Sequence, residues 1–328
     1  MYMRLKIYNI TTVFFLLALL LIPFSSLFSQ MSYQSNNENK QIFSDKLDTK
    51  RLFYEEEEYS TDSSSYYKGW SLGASFGFYF ANKNTANFYN GSGTNDIGYI
   101  LDNIYYKEPI EEKIGYDFDK NMDPPWELPQ NMRYDPAMTV GFYAKYNYSK
   151  SFALFFQTTY VKLKTTDVFL LHLEKPQNTL EPLYNQYGIL GMEERLNFDI
   201  GVSQEYDINE VVRVYFETGL SMNSTTVLKN LILIEDMEYS IINVYGNQGY
   251  IPNSNLQEFE IRQGGIGWGI FFGTGIRLVF SEHVSIDPGF TLYLQNIVIK
   301  DNTNFEPTYA RFGPSFTAFI RFTFKDFF

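Results

Sequence analysis

Two histidines and several carboxylates are the residues of this 328-residue chain whose chemistry could act on a substrate. His283, Ser285 and Asp287 stand two apart, so an extended backbone would align them on one face, as a hydroxyl nucleophile with its base requires. His172 lies beside Glu174 and offers a second base. Asp117, Asp119, Asn121 and Asp123 alternate as calcium ligands do. The remainder of that motif is missing, with Met122 where glycine makes the sharp turn and Leu128 where the bidentate Glu belongs. A solvated acidic turn ahead of Pro124 and Pro125 is the other reading. The chain has no Cys, which excludes disulfides and thiolate metal sites, and no cofactor is expected. A net charge of −12 leaves no means of holding a nucleic-acid backbone.

The elements that must position these groups begin after an address. Arg4 and Lys6 precede ten apolar residues, 13–22, and a small-residue exit at Ser29. This is the layout of a secretory signal, too short to span a bilayer as a helix. Residues 1–29 are therefore expected to be a signal peptide, and the polar stretch 30–68, with its acidic run 55–58, a disordered periplasmic tail. No later stretch is apolar for long enough to form a spanning helix, so membrane residence would need strands.

From Trp70 onward, eight segments alternate with period two. Their outward positions are every second residue of 70–80, 138–148, 152–160, 196–206, 212–222, 266–280, 284–294 and 312–324. Of these 50 positions only Thr158, Gln204, Thr218 and Thr274 are neither apolar nor aromatic, and none is charged. The opposite face is mostly Gly, Ser, Thr, Asn and Tyr, which suits a narrow polar lumen better than a solvated sandwich surface. The turns 149–151, 207–211 and 281–283 each hold an odd number of residues, which keeps outward faces paired. The links 81–136, 165–195, 223–265 and 295–310 are long. The spacing predicts an all-β chain: an eight-stranded antiparallel transmembrane up-and-down barrel over 69–328, with short periplasmic turns and long extracellular loops.

Eight charges fall on the inward face: Lys145, Arg213, Arg277 and Arg321 against Asp199, Glu205, Glu217 and Asp287. Four of each sign predict a plug of salt bridges, with Arg277 and Asp287 facing one another across a hairpin. Gly267, Gly269, Gly273 and Gly275 would leave room for long side chains opposite. Tyr146, Tyr148, Tyr206 and Phe280 are expected in the aromatic girdle at the periplasmic edge. Pro288 and Pro314 interrupt the ladder at lipid-facing positions, and are either bulge sites or a place of lateral access. In the loops, the apolar patches 99–106 and 231–234 suit contact with a protein or glycan, or else an internal cap.

With these eight segments, and a last strand ending in Phe322, Phe324 and Phe328, the chain resembles the small eight-stranded outer-membrane barrels. These are the OmpX type, the N-terminal barrel of the OmpA type and the PorT-like barrels. The resemblance covers residues 70–328. It implies a Gram-negative-type outer membrane, and a final strand that ends in an assembly signal. Unlike full-length OmpA-type proteins, the chain stops at the last strand, so no peptidoglycan-binding domain is expected. The family's functions are diverse, so the resemblance implies architecture more than activity. A non-enzymatic scaffold, accessory subunit or surface recognition protein is expected, in contact with outer-membrane lipids and another envelope or extracellular component. A narrow transporter and a lipid A-modifying enzyme are the alternatives.

Overall fold

The computed structural model describes residues 68–174, 181–209, 211–242, 262–281, 283–301 and 308–325. The signal segment 1–29, the tail up to residue 67 and the terminal Phe328 lie outside the described residues. So do 243–261 and 302–307, which belong to two of the long links.

Eight long strands form the fold: β1 (Gly69–Phe80), β2 (Ala137–Asn147), β3 (Phe152–Leu173), β4 (Leu183–Asp207), β5 (Val212–Ile234), β6 (Gln263–Val279), β7 (Val284–Asp301) and β8 (Tyr309–Lys325). Each pairs antiparallel with its neighbours in chain order, and β8 returns to pair with β1, so the sheet closes into a ring. Closure leaves no strand edge along the ring. A register line from Phe152 runs through Gln204, Phe216, Thr274, Phe290, Ala318 and Phe78 to Met138. Met138 precedes Thr139, the partner of Val161, so the line reaches β3 at Lys162, ten residues beyond its start. At about 3.3 Å per residue and about 4.8 Å between strands, that stagger tilts the strands by about 40°. Trp70 to Phe80 then climbs about 25 Å, the height of the apolar band of a membrane barrel.

Along that band the alternation has one sign. Phe76, Phe142, Leu154, Ile200, Leu220, Trp268 and Ile320 are exposed outward, while Ser75, Thr159, Asp199, Ser221 and Arg321 are buried inside. Outward residues pair with outward ones, as in Trp70 with Tyr146 and Tyr206 with Val214. The tight ends close by Tyr148 N–H to Phe152 O, Ile208 N–H to Val212 O and Phe280 N–H to Val284 O.

Above the band the sign inverts, and the long links carry strands on beyond it. Residues 165–173 and 183–195 continue β3 and β4, 223–234 continue β5 and 295–301 continue β7. Lys162 and Lys164 now face outward, and Val161, Leu163, Phe169, Leu171 and Leu173 inward. A bulge beside Met192 and Glu193 leaves Leu228 without a partner in the register, and beyond it the inward positions of β5 become Asn230, Ile232 and Ile234.

The inverted wall encloses the link 81–136. This link forms α1 (Lys83–Ala86), α2 (Gly98–Leu101), α3 (Ile104–Ile114) and two short 3-10 turns. Asn103 caps α3 by accepting from Tyr105 N–H at 3.1 Å. Gly115, at φ 79°, stops it in the left-handed conformation that costs glycine least. Tyr106, Ile110 and Ile114 recur every four residues and turn one face of α3 to the core. That core joins Ile97, Leu101, Ile110 and Phe118 of the cap to Phe169, Ile189, Ile232 and Ile299 of the wall. Each such side chain contributes about 1.5–3 kcal/mol on burial. Of the patch 231–234, Ile232 and Ile234 are buried inside the molecule, whereas the patch 99–106 is divided: Ile100 and Leu101 are buried, and Ile104 and Tyr105 are exposed.

Candidate functional site

The lumen carries its polar side chains in layers. At the turn end, Arg277 donates to Asp287 from Nε at 3.0 Å and from Nη2 at 2.7 Å, and also pairs with Glu205. Lys145 shares that Glu205. Ser285 and Thr323 donate to the same Asp287 at 3.0 and 3.1 Å. Arg213 lies at the mouth, its Nε 3.0 Å from Asp207 and its Nη1 3.8 Å from Glu205.

One layer up, Arg321 grips Glu217 with both terminal nitrogens, at 2.9 and 3.1 Å. A bidentate pair of this kind is stronger and more directional than a single contact. Tyr143 donates to the same carboxylate at 2.9 Å, and its ring lies 3.7 Å from the guanidinium. Tyr143, Phe155, Phe271 and Tyr293 then fill the middle of the lumen with rings. Asp199 departs from the expected charge pairing. It accepts from Ser221 at 2.6 Å and Tyr293 at 2.9 Å, and meets no cation within ion-pair distance among the described residues.

The uppermost layer adds two charges that lie within the link 165–195, outside the eight alternating segments. Arg195 and Glu193 are both fully buried, and Arg195 Nε donates to Glu193 at 2.6 Å. Their remaining partners come from the cap: Tyr89 donates to Glu193 at 2.6 Å, and Arg195 Nη2 donates to Thr85 Oγ1 at 3.0 Å. Tyr89 packs against Gly191, where a Cβ would fall 2.2 Å from the ring. Burial first, and then the charge of Glu193, raise the Tyr89 hydroxyl well above the ordinary tyrosine value, so it remains a donor at neutral pH. The charges of these layers thus balance, five of each sign among the described residues, and the cap is bolted to the uppermost. A sequence signal existed: Glu193 and Arg195 keep the inward parity of Asp199.

No family model matches the chain, and no curated protein sequence does. Among solved structures the chain is similar to Neisserial surface protein A, at 11% identity and TM-score 0.38 over 78% of this chain and 97% of that one. It is similar also to the outer membrane protein OprG from Pseudomonas aeruginosa, at 10% identity and TM-score 0.39 over 79% and 97%. A third is Ail, the attachment invasion locus protein of Yersinia pestis, in complex with the heparin analogue sucrose octasulfate, at 9% identity and TM-score 0.32 over 79% and 97%. Likeness at this level adds nothing about what this chain does. The barrel rests on its own closed register.

The groups singled out for chemistry do not converge. His172 Nε2 lies 3.0 Å from Glu127, while Glu174 pairs with Lys120 at 3.1 Å. His283 sits on an exposed turn, whereas Ser285 is engaged inside the lumen with Asp287. Asp117 pairs with Lys120 at 3.2 Å, Asp119 accepts from Asn121 at 2.9 Å, and no group of three or more His, Asp or Glu gathers among the described residues. Chelation by EDTA is expected to leave the Tm of the purified protein unchanged; a fall would restore a bound divalent cation. Pro288 pairs with Ile320 and Pro314 with Leu294, six residues apart on β8. That is about 20 Å along the strand, too far for one opening.

Proposed function

We propose that this chain is an integral outer-membrane barrel of a Gram-negative-type envelope, working without catalysis as a scaffold, accessory subunit or recognition protein. In this reading residues 1–29 export the chain, 30–68 form a periplasmic tail and 69–328 the barrel. The tight turns face the periplasm and the cap faces outward. One observation carries the reading: an apolar band about 25 Å high surrounds a lumen filled by ion pairs and rings, and the pattern inverts where a water-facing wall holds the cap. A band of that sign is stable only against hydrocarbon, and the inverted wall only against water.

A lumen so filled offers no path for ions. Purified protein in planar bilayers is expected to show no single-channel steps; reproducible openings would move the reading to a narrow transporter. The work then falls to the surface of the cap, where Ile104, Tyr116 and Met122 are exposed beside Glu108, Glu112 and Asp117. Apolar groups rimmed by charge suit a protein or glycan partner. The test is extraction from native membranes in mild detergent and native mass spectrometry. A stoichiometric partner that is lost with Ile104→Ser and Tyr116→Ser supports the reading. A lone particle would overturn the scaffold role.

A further inference from the structure

We infer that the turn end of the lumen is a binding site for a phosphate group. A cavity of about 220 Å³ opens there. That is below the roughly 300–1,000 Å³ of pockets for drug-sized ligands, so it suits a small polar group. Although the chain carries −12 overall, the cavity is lined by Lys150, Arg213, Arg277 and Lys325, with His283 and Glu205; Asp207 pairs with Lys150 at 2.6 Å, and Asp287 with Arg277 at 2.7 Å. Glu210 and Glu282, in the adjoining turns, lie outside the described residues.

Arg213 is the group that points to a ligand. Arg277, Arg321 and Arg195 each hydrogen-bond a carboxylate. Arg213 reaches Asp207 and Glu205 at ion-pair distance, yet its buried Nε makes no hydrogen bond. A guanidinium presents its donors as a planar fork, which a tetrahedral phosphate accepts in pairs. The wall beside it offers the hydroxyl of Ser71, which accepts from Asn147 at 3.0 Å and keeps its own proton to donate to a phosphate oxygen. The mouth lies level with Trp70, Tyr148 and Phe280, where the apolar band ends. Two sources share the chemistry: a soluble phosphate ester, or the headgroup of a phospholipid in the inner leaflet. The second source rests on the membrane reading above; the first does not.

The experiment uses the purified chain in non-ionic detergent. Glycerol phosphate is titrated by calorimetry, and phosphatidylglycerol is added in parallel and followed by native mass spectrometry. Wild-type protein is expected to bind at least one of them, and Arg213→Gln to bind it at least tenfold more weakly. Arg213→Lys, which keeps the charge and loses the fork, is expected to fall between. Lys113→Gln, at the cap end, is expected to bind as wild type does. Binding of glycerol phosphate identifies a soluble ligand, and binding of the lipid alone identifies a headgroup. No binding of either, or equal binding by Arg213→Gln, overturns the proposal. Migration of each variant before and after heating reports the barrel separately. An unshifted wild type would sink the membrane reading and leave the glycerol phosphate titration to decide the site.

Discussion

Glu193→Ala is expected to destabilise the folded protein by about 3–5 kcal/mol, the cost of stranding one partner of a buried ion pair. Both residues of the pair are fully buried two positions apart on β4, so Arg195 would keep its charge with neither water nor a carboxylate to meet it. The loss also frees Tyr89, whose hydroxyl donates to Glu193 and whose ring seats the cap on Gly191. Two readouts follow. The urea midpoint of the detergent-solubilised protein should fall, and the link 81–136 should become open to protease while the strands stay protected. Glu193→Gln keeps an acceptor for Tyr89, and its effect is expected to be smaller. An unchanged midpoint with an uncut link would show that the apolar core holds the cap without this layer.

Gly267→Ala is expected to be the most damaging addition of a single methyl group within β6. A Cβ at this position would stand 1.8 Å from the carbonyl oxygen of Asn296 and 2.9 Å from both amide atoms of Asn223. The empty place is used. Asn223 on β5 passes beneath the glycine and donates to Asn296 O on β7 at 3.0 Å, bridging two strands that are not neighbours. The clash is with backbone, which cannot swing aside as a side chain can, so the cost should reach or exceed the roughly 1–3 kcal/mol usual for overpacking. Gly273→Ala is the control, since its nearest neighbours are the side chains of Glu217 and Thr291 at 3.3 Å. If both variants unfold at the same urea concentration, the bridge is not what Gly267 serves.

The alternation from Trp70 to Phe80, repeated seven times, was legible because a strand's period of two is local. With odd turns, it determined eight antiparallel strands, which face of each is apolar, and that Lys145, Arg277 and Asp287 point inward. The arrangement of those charges was not legible, since partners depend on the ring's stagger. Arg321 meets Glu217, 104 residues away, and Asp199 finds Ser221 and Tyr293 in place of a cation.

The wall above the band shows the other limit. Lys162, Lys164 and Glu194 look like loop residues to a reader who expects apolar groups outside. The strand period continues through them, but the meaning of its two faces is set by what lies beyond the wall. At Leu228 a bulge shifts even the parity, so 231–234 presents apolar residues on both sides.

The sequence by itself determined the strands, their facing and the neutrality of the lumen, because these follow from period, parity and composition. Only the tertiary structure decided that the link 81–136 is a cap, that Glu193 and Arg195 anchor it, and that the Nε of Arg213 stands at the turn end with no hydrogen bond among the described residues. Those depend on closing the ring, which brings together groups a hundred or more residues apart and takes their charges out of water.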